Sequence, residues 1–134
     1  MTINNDVPQG ERGASPQEQR KEWTVQQWTD YAKAGNKDLQ GANLRDAELA
    51  GIYLTDANLK GANLKGADFY GADLTGSNLE GANLYDANFD GAYLWDANLK
   101  DANIRDATFY CARLKGANLE GRDLDDLRKR VAGF

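Results

Sequence analysis

The residues of this chain that could carry chemistry are few in kind. Its 134 residues include no histidine and a single cysteine, Cys111. Histidine is the usual general base and the commonest zinc ligand, and one cysteine forms neither an internal disulfide nor a cysteine cluster. Of the 21 acidic residues, 16 lie within residues 37–126 on a repetitive, exposed surface, so nothing divides them into an unlike acid and base. We therefore expect no catalytic residues, no cofactor and no enzymatic activity.

One column of positions spaced by twenty residues is mostly aspartate. It reads Asp46, Gly66, Asp86, Asp106 and Asp126. Stacked carboxylates repel by about 1 kcal/mol per pair in water, and a divalent cation between them would relieve that repulsion. The alternative is that these aspartates cap turn amides while Arg45, Lys65 and Arg105 balance their charge. We favour the alternative and expect no metal site.

A large apolar residue recurs at every fifth position of the chain. The eighteen positions are Leu39, Leu44, Leu49, Leu54, Leu59, Leu64, Phe69, Leu74, Leu79, Leu84, Phe89, Leu94, Leu99, Ile104, Phe109, Leu114, Leu119 and Leu124. The residue two positions before each of them is Ala in fourteen of the eighteen cases. The residue two positions after is Gly ten times, Asp seven times and Cys once. Neither helical nor strand periodicity produces a period of five.

This period indicates a solenoid in which one short extended segment and one corner use five residues. The small and the large residue, two positions apart, point inward. Gly or Asp lies at the corner, where the backbone needs a positive φ or a side chain that bonds its own backbone. Cys111 at a corner is either a reactive thiol or a passive substitution, and we favour the passive interpretation.

The tandem motif A(N/D)LXX, present as GANLK, GADFY and DANLK, resembles that of the pentapeptide-repeat family. The resemblance implies an all-β solenoid, a right-handed quadrilateral β-helix with four pentapeptides per coil. Residues 37–126 would form about 4.5 coils, and residues twenty apart would stack directly. Phe69, Phe89 and Phe109 would then lie on one interior face above Leu49. With its short, uninterrupted array, the chain resembles the members of the family that are abundant in cyanobacteria.

Asparagines also recur at intervals of twenty, in two columns. The columns are Asn58, Asn78, Asn98 and Asn118, and Asn43, Asn63, Asn83 and Asn103. Stacked asparagines form amide ladders between neighbouring strands in other cross-strand arrays. We favour such a ladder over a ligand-binding role.

Both ends of the array need caps, because a β-helix exposes its core and unpaired backbone there. Residues 15–35 are predicted to form an N-terminal capping helix, with a capping box at its start and a glycine stop at its end. Its apolar face consists of Val25, Trp28, Tyr31 and Ala32. Residues 123–134 are predicted to form a short C-terminal helix, either a lid, which we favour, or a dimerisation element. Residues 1–14 are expected to be disordered, so the chain is one domain overall.

The net charge and the hydropathy of the chain indicate which partners and which cellular location to expect. The net charge of −5 disfavours nucleic acid as a direct partner, since phosphate binding needs a basic surface. No apolar run approaches the ~20 residues that cross a bilayer, so no membrane association is expected. The N-terminal segment is polar and shows no secretory signal, and a cytoplasmic location is expected.

Exposed aromatic residues are the candidates for a binding surface, because large rings in water commonly meet a partner. In the coil arrangement Tyr53, Tyr93 and Trp95 share one face, and Tyr70 and Tyr110 lie on the preceding face. Together they predict a protein-binding patch around one edge, with Trp95 as its anchor. The alternative is that these rings only pack against their neighbours on the sheet.

Three functions compete. The first, which we favour, is a rigid, non-catalytic module for protein–protein contact. The second follows from the family resemblance: an acidic mimic of DNA that binds DNA gyrase or another topoisomerase and modulates it. The lack of a loop insertion and the interspersed lysines and arginines argue against mimicry. The third, an enzyme, is disfavoured by the residue inventory. We expect a monomer that binds a protein partner, with a homodimer through the C-terminal segment as the alternative.

Overall fold

The computed structural model describes residues 16–121 and residue 127. Two short helices come first, α1 (Pro16–Gln19) and α2 (Val25–Lys33). A winding array of repeats follows them. Within residues 38–118 the coils are joined by isolated parallel bridges rather than by longer strands.

Each bridge joins two residues that are twenty positions apart. The series runs from Asp38–Asn58 to Asn98–Asn118, and the second coil bridges at residues 58, 63, 68 and 73. At each bridge two N–H groups donate to carbonyls of the adjacent coil. The Asn58 N–H donates to the Lys37 carbonyl at 2.8 Å, and the Leu39 N–H donates to the Asn58 carbonyl at 2.8 Å. The chain therefore winds as a four-sided β-helix with twenty residues in each coil.

The corners share one backbone conformation. Every corner from residue 41 to residue 121 has a positive φ, whether it is Gly, Asp or Cys. The N–H that follows a corner donates to the carbonyl three residues earlier, as Ala42 does to Leu39 at 3.0 Å. Such a turn needs a left-handed third residue, which Gly adopts freely and Asp tolerates. This requirement explains why Gly and Asp occupy the corner position.

The interior is a column of apolar side chains, most of them without solvent contact. Phe69, Phe89 and Phe109 stack face to face, with ring centroids 5.0 and 5.3 Å apart and ring planes within 6°. Ser77 replaces the usual Ala and is buried, and its hydroxyl has no hydrogen-bond partner within the described residues. Leu127 is fully buried in the same core.

The single capping helix expected over residues 15–35 is instead two helices. Thr24 ends the break between them, because its side chain and that of Gln27 form a capping box that starts α2. The Gln27 N–H donates to Thr24 Oγ1 at 3.2 Å, and the Thr24 N–H donates to Gln27 Oε1 at 2.9 Å. Trp28 and Ala32 of the predicted apolar face are buried, and Val25 and Tyr31 pack half-buried against the core.

The segment between the helices is held by a buried cation. The Arg20 guanidinium lies 5.1 Å from the Tyr31 ring and 5.7 Å from the rings of Trp23 and Trp28. Its Nη2 donates to Asp38 Oδ2 at 2.8 Å. This arrangement ties the N-terminal cap to the first coil of the β-helix.

Two of the predicted segments lie largely beyond the described part of the chain. The segment expected to be disordered, residues 1–14, lies wholly outside it. Of the predicted C-terminal helix, residues 123–134, the structure describes Leu127 alone. Neither α1 nor α2 is long or apolar enough to cross a bilayer.

Candidate protein-binding edge

Five aromatic residues form what we call the aromatic edge: Tyr53, Tyr70, Tyr93, Trp95 and Tyr110. Tyr53 and Tyr93 belong to one bridged column that also contains Asp73 and Arg113. Tyr70 and Tyr110 stand twenty residues on either side of Asp90. The two columns border the same corner, which is Gly in three coils and Cys111 in the fourth. The corner residues are small, so both columns face solvent along one edge.

Tyr93 and Trp95 are the two members of the edge that touch. Their rings meet edge to face, with centroids 5.4 Å apart. The Arg113 guanidinium covers both, 5.3 Å from the Tyr93 centroid and 6.0 Å from that of Trp95. Trp95 remains 40% exposed despite these contacts. A shallow groove beside it is lined by Thr75, Trp95, Asp96, Lys115 and Gly116.

The other three rings of the edge stand apart. Tyr53 is 77% exposed, Tyr70 60% and Tyr110 65%. None of the three makes a ring contact with another described residue. The structure thus brings Tyr93 and Trp95 together and leaves the remaining tyrosines as separate exposed rings on the same edge.

Sequence reasoning missed the charged residues that lie between the tyrosines. Asp73 lies between Tyr53 and Tyr93, one coil from each, and Asp90 lies between Tyr70 and Tyr110 in the same way. Stepping twenty residues from every exposed tyrosine would have found both aspartates and Arg113. Tyrosine and aspartate therefore alternate along each column and across the corner.

Charge is distributed unequally over the four faces. The Phe face, as we name it, comprises residues 47–51, 67–71, 87–91 and 107–111, which include the three stacked phenylalanines. It carries Glu48, Asp68 and Asp90 and contains no Lys or Arg. Each of the other three faces contains lysine or arginine, so the Phe face is the acidic side of the described β-helix.

In the described part of the chain, no turn N–H donates to the carboxylates of Asp46, Asp86 and Asp106, contrary to expectation. The Asp46 carboxylate instead lies over Gly66 in the next coil. Arg45 and Arg105 approach the neighbouring carboxylates, Arg45 Nε at 3.5 Å from Asp46 and Arg105 Nε at 4.0 Å from Asp106. Among the described residues, no three acidic or cysteine side chains converge as a metal ion would require. Cys111 is exposed at its corner.

The asparagine side chains form two kinds of hydrogen bond, one to an asparagine in the adjacent coil and one to the backbone of their own segment. Asn98 Nδ2 donates to Asn78 Oδ1, and Asn103 Nδ2 donates to Asn83 Oδ1, both at 3.3 Å. Most asparagine Oδ1 atoms also accept the N–H two residues later, as Asn58 accepts from Lys60 at 3.1 Å. Within the described coils each column thus contains one asparagine–asparagine bond, and the predicted ladder forms only in part.

Comparison with known proteins agrees with this geometry. A family model described as pentapeptide repeats matches in eight copies, over residues 31–61, 42–81, 52–90 and 82–121. The solved structure of HetL, a pentapeptide repeat protein involved in heterocyst differentiation regulation in the cyanobacterium Nostoc, is 40% identical over 62% of this chain, with a TM-score of 0.50. A pentapeptide repeat protein from the cyanobacterium Cyanothece 51142 is 38% identical over 57% of this chain, with a TM-score of 0.48. A further one from Nostoc is 32% identical over 81%, with a TM-score of 0.47.

This chain spans 52% of the Cyanothece protein, 36% of HetL and 93% of the further Nostoc protein. Comparison with curated proteins gives no match. Pentapeptide repeat proteins form right-handed β-helices. The family model covers more than half of the chain, and the twenty-residue coil is the architecture that the tandem motif implied. The chain belongs to the pentapeptide repeat family.

Proposed function

We propose that this protein is a non-catalytic module for protein–protein interaction, in which the aromatic edge binds a protein partner. The observation that carries the proposal is the exposure of that edge, where Tyr53, Tyr70 and Tyr110 are each more than half exposed. Exposed tyrosine and tryptophan on a fixed backbone lose little conformational entropy on binding, which suits them as anchors.

The scaffold gives the edge its rigidity. Backbone hydrogen bonds join every pair of neighbouring described coils, and the interior is filled with leucine, alanine and phenylalanine. We propose a β-helix of about 4.5 coils, capped at both ends, because an open end would expose core and backbone. The buried Leu127 supports a C-terminal lid.

The proposed setting is the cytoplasm, with neither nucleic acid nor membrane as a direct partner. A monomer is favoured, and a homodimer through the C-terminal segment is the alternative. Light scattering on the purified protein, with and without residues 124–134, separates the two. A halved mass on truncation of a folded protein establishes the dimer.

The second candidate function is an acidic mimic of DNA that binds gyrase or another topoisomerase. The net charge of −5 and the cation-free Phe face favour it. Lysines and arginines on the other three faces weaken it, since DNA presents phosphates on all sides. Mimicry would use acidic columns rather than rings, and this difference separates the two functions.

The test is affinity capture from a host lysate, with identification of bound proteins by mass spectrometry. The wild type is compared with Tyr93→Ala/Trp95→Ala and with Tyr85→Ala, a control tyrosine on another face. Capture of a protein other than a topoisomerase by the wild type and the control, and its loss in the double variant, supports the proposal. Capture of gyrase by all three proteins favours mimicry. A partner that binds all three equally without being a topoisomerase contradicts a role for Tyr93 and Trp95.

A further inference from the structure

Tyr70, Asp90 and Tyr110 form one outward column of the Phe face, which we call the Tyr70 slot. Because successive residues of the column are one coil apart, the two tyrosines stand about 10 Å from each other, with the aspartate between them. Both rings are largely exposed, at 60% and 65%. The slot is therefore a carboxylate flanked by two separate aromatic rings, open to solvent.

The chain itself shows what a tyrosine in such a column binds. The Arg113 guanidinium, one coil beyond Tyr93, lies 5.3 Å from that ring centroid. The Lys65 ammonium, one coil before Tyr85, also lies 5.3 Å from its ring centroid. A cation one coil away thus lies over a tyrosine ring within the ~6 Å range of a cation–π contact. In the Tyr70 slot that neighbouring position is held by an aspartate instead.

Two hydrogen bonds to neighbouring residues of the chain fix the position of Asp90. Its Oδ1 accepts the Tyr110 N–H at 2.9 Å, and its own N–H donates to Asn88 Oδ1 at 2.9 Å. It forms no ion pair within the described residues, and the Phe face supplies no lysine or arginine. The carboxylate is therefore oriented and lacks a cation from its own face.

We propose that the Tyr70 slot binds an arginine side chain from a basic segment of the protein partner. A guanidinium midway between the rings would lie about 5 Å from each and next to the Asp90 carboxylate. The planar guanidinium matches both an aromatic face and a carboxylate, which a compact ammonium does less well. This inference rests on the proposed function, because it names the chemistry of the partner on the same edge.

The second column of the edge supports a basic segment rather than a lone side chain. Tyr53, Asp73 and Tyr93 repeat the order of residues on the adjoining face, offset from the first column by one coil, although Trp95 and Arg113 already contact the Tyr93 ring. Asp73 Oδ1 accepts the Thr75 N–H at 3.0 Å, so this carboxylate is also oriented. A segment with basic residues that crosses the corner would meet an aspartate between tyrosines on both faces.

The test is a titration of the ¹⁵N-labelled full chain with the peptide Ac-Gly-Arg-Gly-NH₂, followed by amide chemical shifts. We expect saturable shifts centred on Tyr70, Asp90 and Tyr110, and much smaller ones with the matched Ac-Gly-Gln-Gly-NH₂. Asp90→Asn keeps the acceptor for the Tyr110 N–H while removing the charge, and should weaken binding about tenfold. Tyr70→Ala/Tyr110→Ala should abolish the shifts, and Tyr85→Ala should leave them unchanged.

Several outcomes would overturn the slot. They are the absence of saturable shifts, equal binding of the glutamine peptide, or shifts that persist in Asp90→Asn and in the double tyrosine variant. A lysine peptide that binds more tightly than the arginine peptide would also contradict the assignment. Spectra of the variants that match the wild type away from the slot confirm their folding.

The slot and the proposed function fail separately. If a captured partner depends on Tyr93 and Trp95 but the arginine peptide does not bind, the slot is wrong and the interaction module stands. If the peptide binds in the slot but a captured partner binds Tyr93→Ala/Trp95→Ala and Tyr70→Ala/Tyr110→Ala as well as the wild type, the slot is a site for arginine and the proposed function of the edge is wrong.

Discussion

The carboxylate of Asp46 lies over the α-carbon of Gly66, in the space that a β-carbon at residue 66 would occupy. The same relationship joins three further pairs one coil apart, namely Asp56 and Gly76, Asp96 and Gly116, and Asp101 and Gly121. An aspartate at a corner is thus followed, one coil later, by a glycine. There are two exceptions in the sequence, because Asp86 is followed by Asp106, and Asp106 by Asp126. In these four pairs the carboxylate of the preceding coil fills the space that a side chain at the glycine would need.

This packing predicts unequal costs for two glycine substitutions. Gly66→Ala and Gly71→Ala both place a β-carbon on a backbone with positive φ, which costs about 1 kcal/mol. At Gly71 the β-carbon meets nothing within 4 Å, whereas at Gly66 it meets the Asp46 carboxylate. Because the Asp46 side chain is exposed and can rotate away, we expect Gly66→Ala to lower the free energy of unfolding by only about 0.5 kcal/mol more than Gly71→Ala in urea denaturation. Adding Asp46→Gly should reduce that loss to the Gly71→Ala level, and equal losses in the two single variants would contradict the argument.

Much of the fold was predictable because each coil repeats the same steric problem. Eighteen apolar residues at a spacing of five indicated the interior, and a spacing of twenty aligned Phe69 with Phe89. The family followed from the same motif. These features depend on residue size and backbone conformation, and both are determined by the residues of each pentapeptide.

The contacts of the caps and of the surface were less predictable. The break before α2 depends on Thr24, which starts α2 as its N-cap. Arg20 contacts Asp38, eighteen residues later, and this spacing is not part of any repeat. On the surface, Arg113 covers Tyr93 because of the side-chain conformation it adopts in the next coil. Such contacts depend on rotamers and on neighbouring coils, and a local motif does not encode them.

The buried hydroxyl of Ser77 predicts a stabilising substitution. Its oxygen has no hydrogen-bond partner in the described part of the chain, and the equivalent residue in most repeats is Ala. Burying an unsatisfied hydroxyl is unfavourable, so Ser77→Ala should raise the free energy of unfolding by about 1 kcal/mol. Thermal and urea unfolding measure this change. Ala82→Ser, the matched reverse change in the next repeat, should lower stability by a similar amount. A Ser77→Ala protein that is less stable than the wild type would show that the hydroxyl is satisfied.

Phe89 is the middle ring of the stack and should be the more sensitive to truncation. Its ring is fully buried between Phe69 and Phe109. Phe89→Ala leaves a cavity with rings above and below, and should lower the free energy of unfolding by about 3–5 kcal/mol. Phe89→Leu restores the residue found at most equivalent positions and should cost about 1 kcal/mol. Equal losses in the two variants, measured by urea denaturation, would show that the cavity is not the main cost.

Arg20 predicts how strongly the N-terminal cap is attached. The side chain is buried among three rings and pairs with Asp38, whose own side chain is about half exposed. Because Asp38 is partly solvated, Arg20→Ala should cost about 2 kcal/mol, less than a fully buried pair. Arg45→Ala breaks an exposed pair with Asp46 and should change stability by less than about 0.5 kcal/mol. Near-ultraviolet circular dichroism should report loosening of Trp23 and Trp28 in Arg20→Ala, and an unchanged spectrum would contradict the anchoring role.

Trp95 should dominate the fluorescence that solvent can quench, and this makes the aromatic edge observable. The protein has three tryptophans, of which Trp23 and Trp28 are 5% and 4% exposed and Trp95 is 40% exposed. Acrylamide reaches exposed indoles, so Trp95→Phe should remove most of the quenchable emission while leaving the buried signal. Arg113→Gln should increase quenching, because the guanidinium that covers part of the Trp95 ring is lost. Lys100→Gln, a change on another face, should have no effect.

If quenching is unchanged in Trp95→Phe, the exposed indole lies elsewhere and Trp95 does not report on this edge. If Trp95→Phe removes the quenching, the same signal measures binding of a partner there directly, since a bound protein would shield this ring and leave Trp23 and Trp28 as they are.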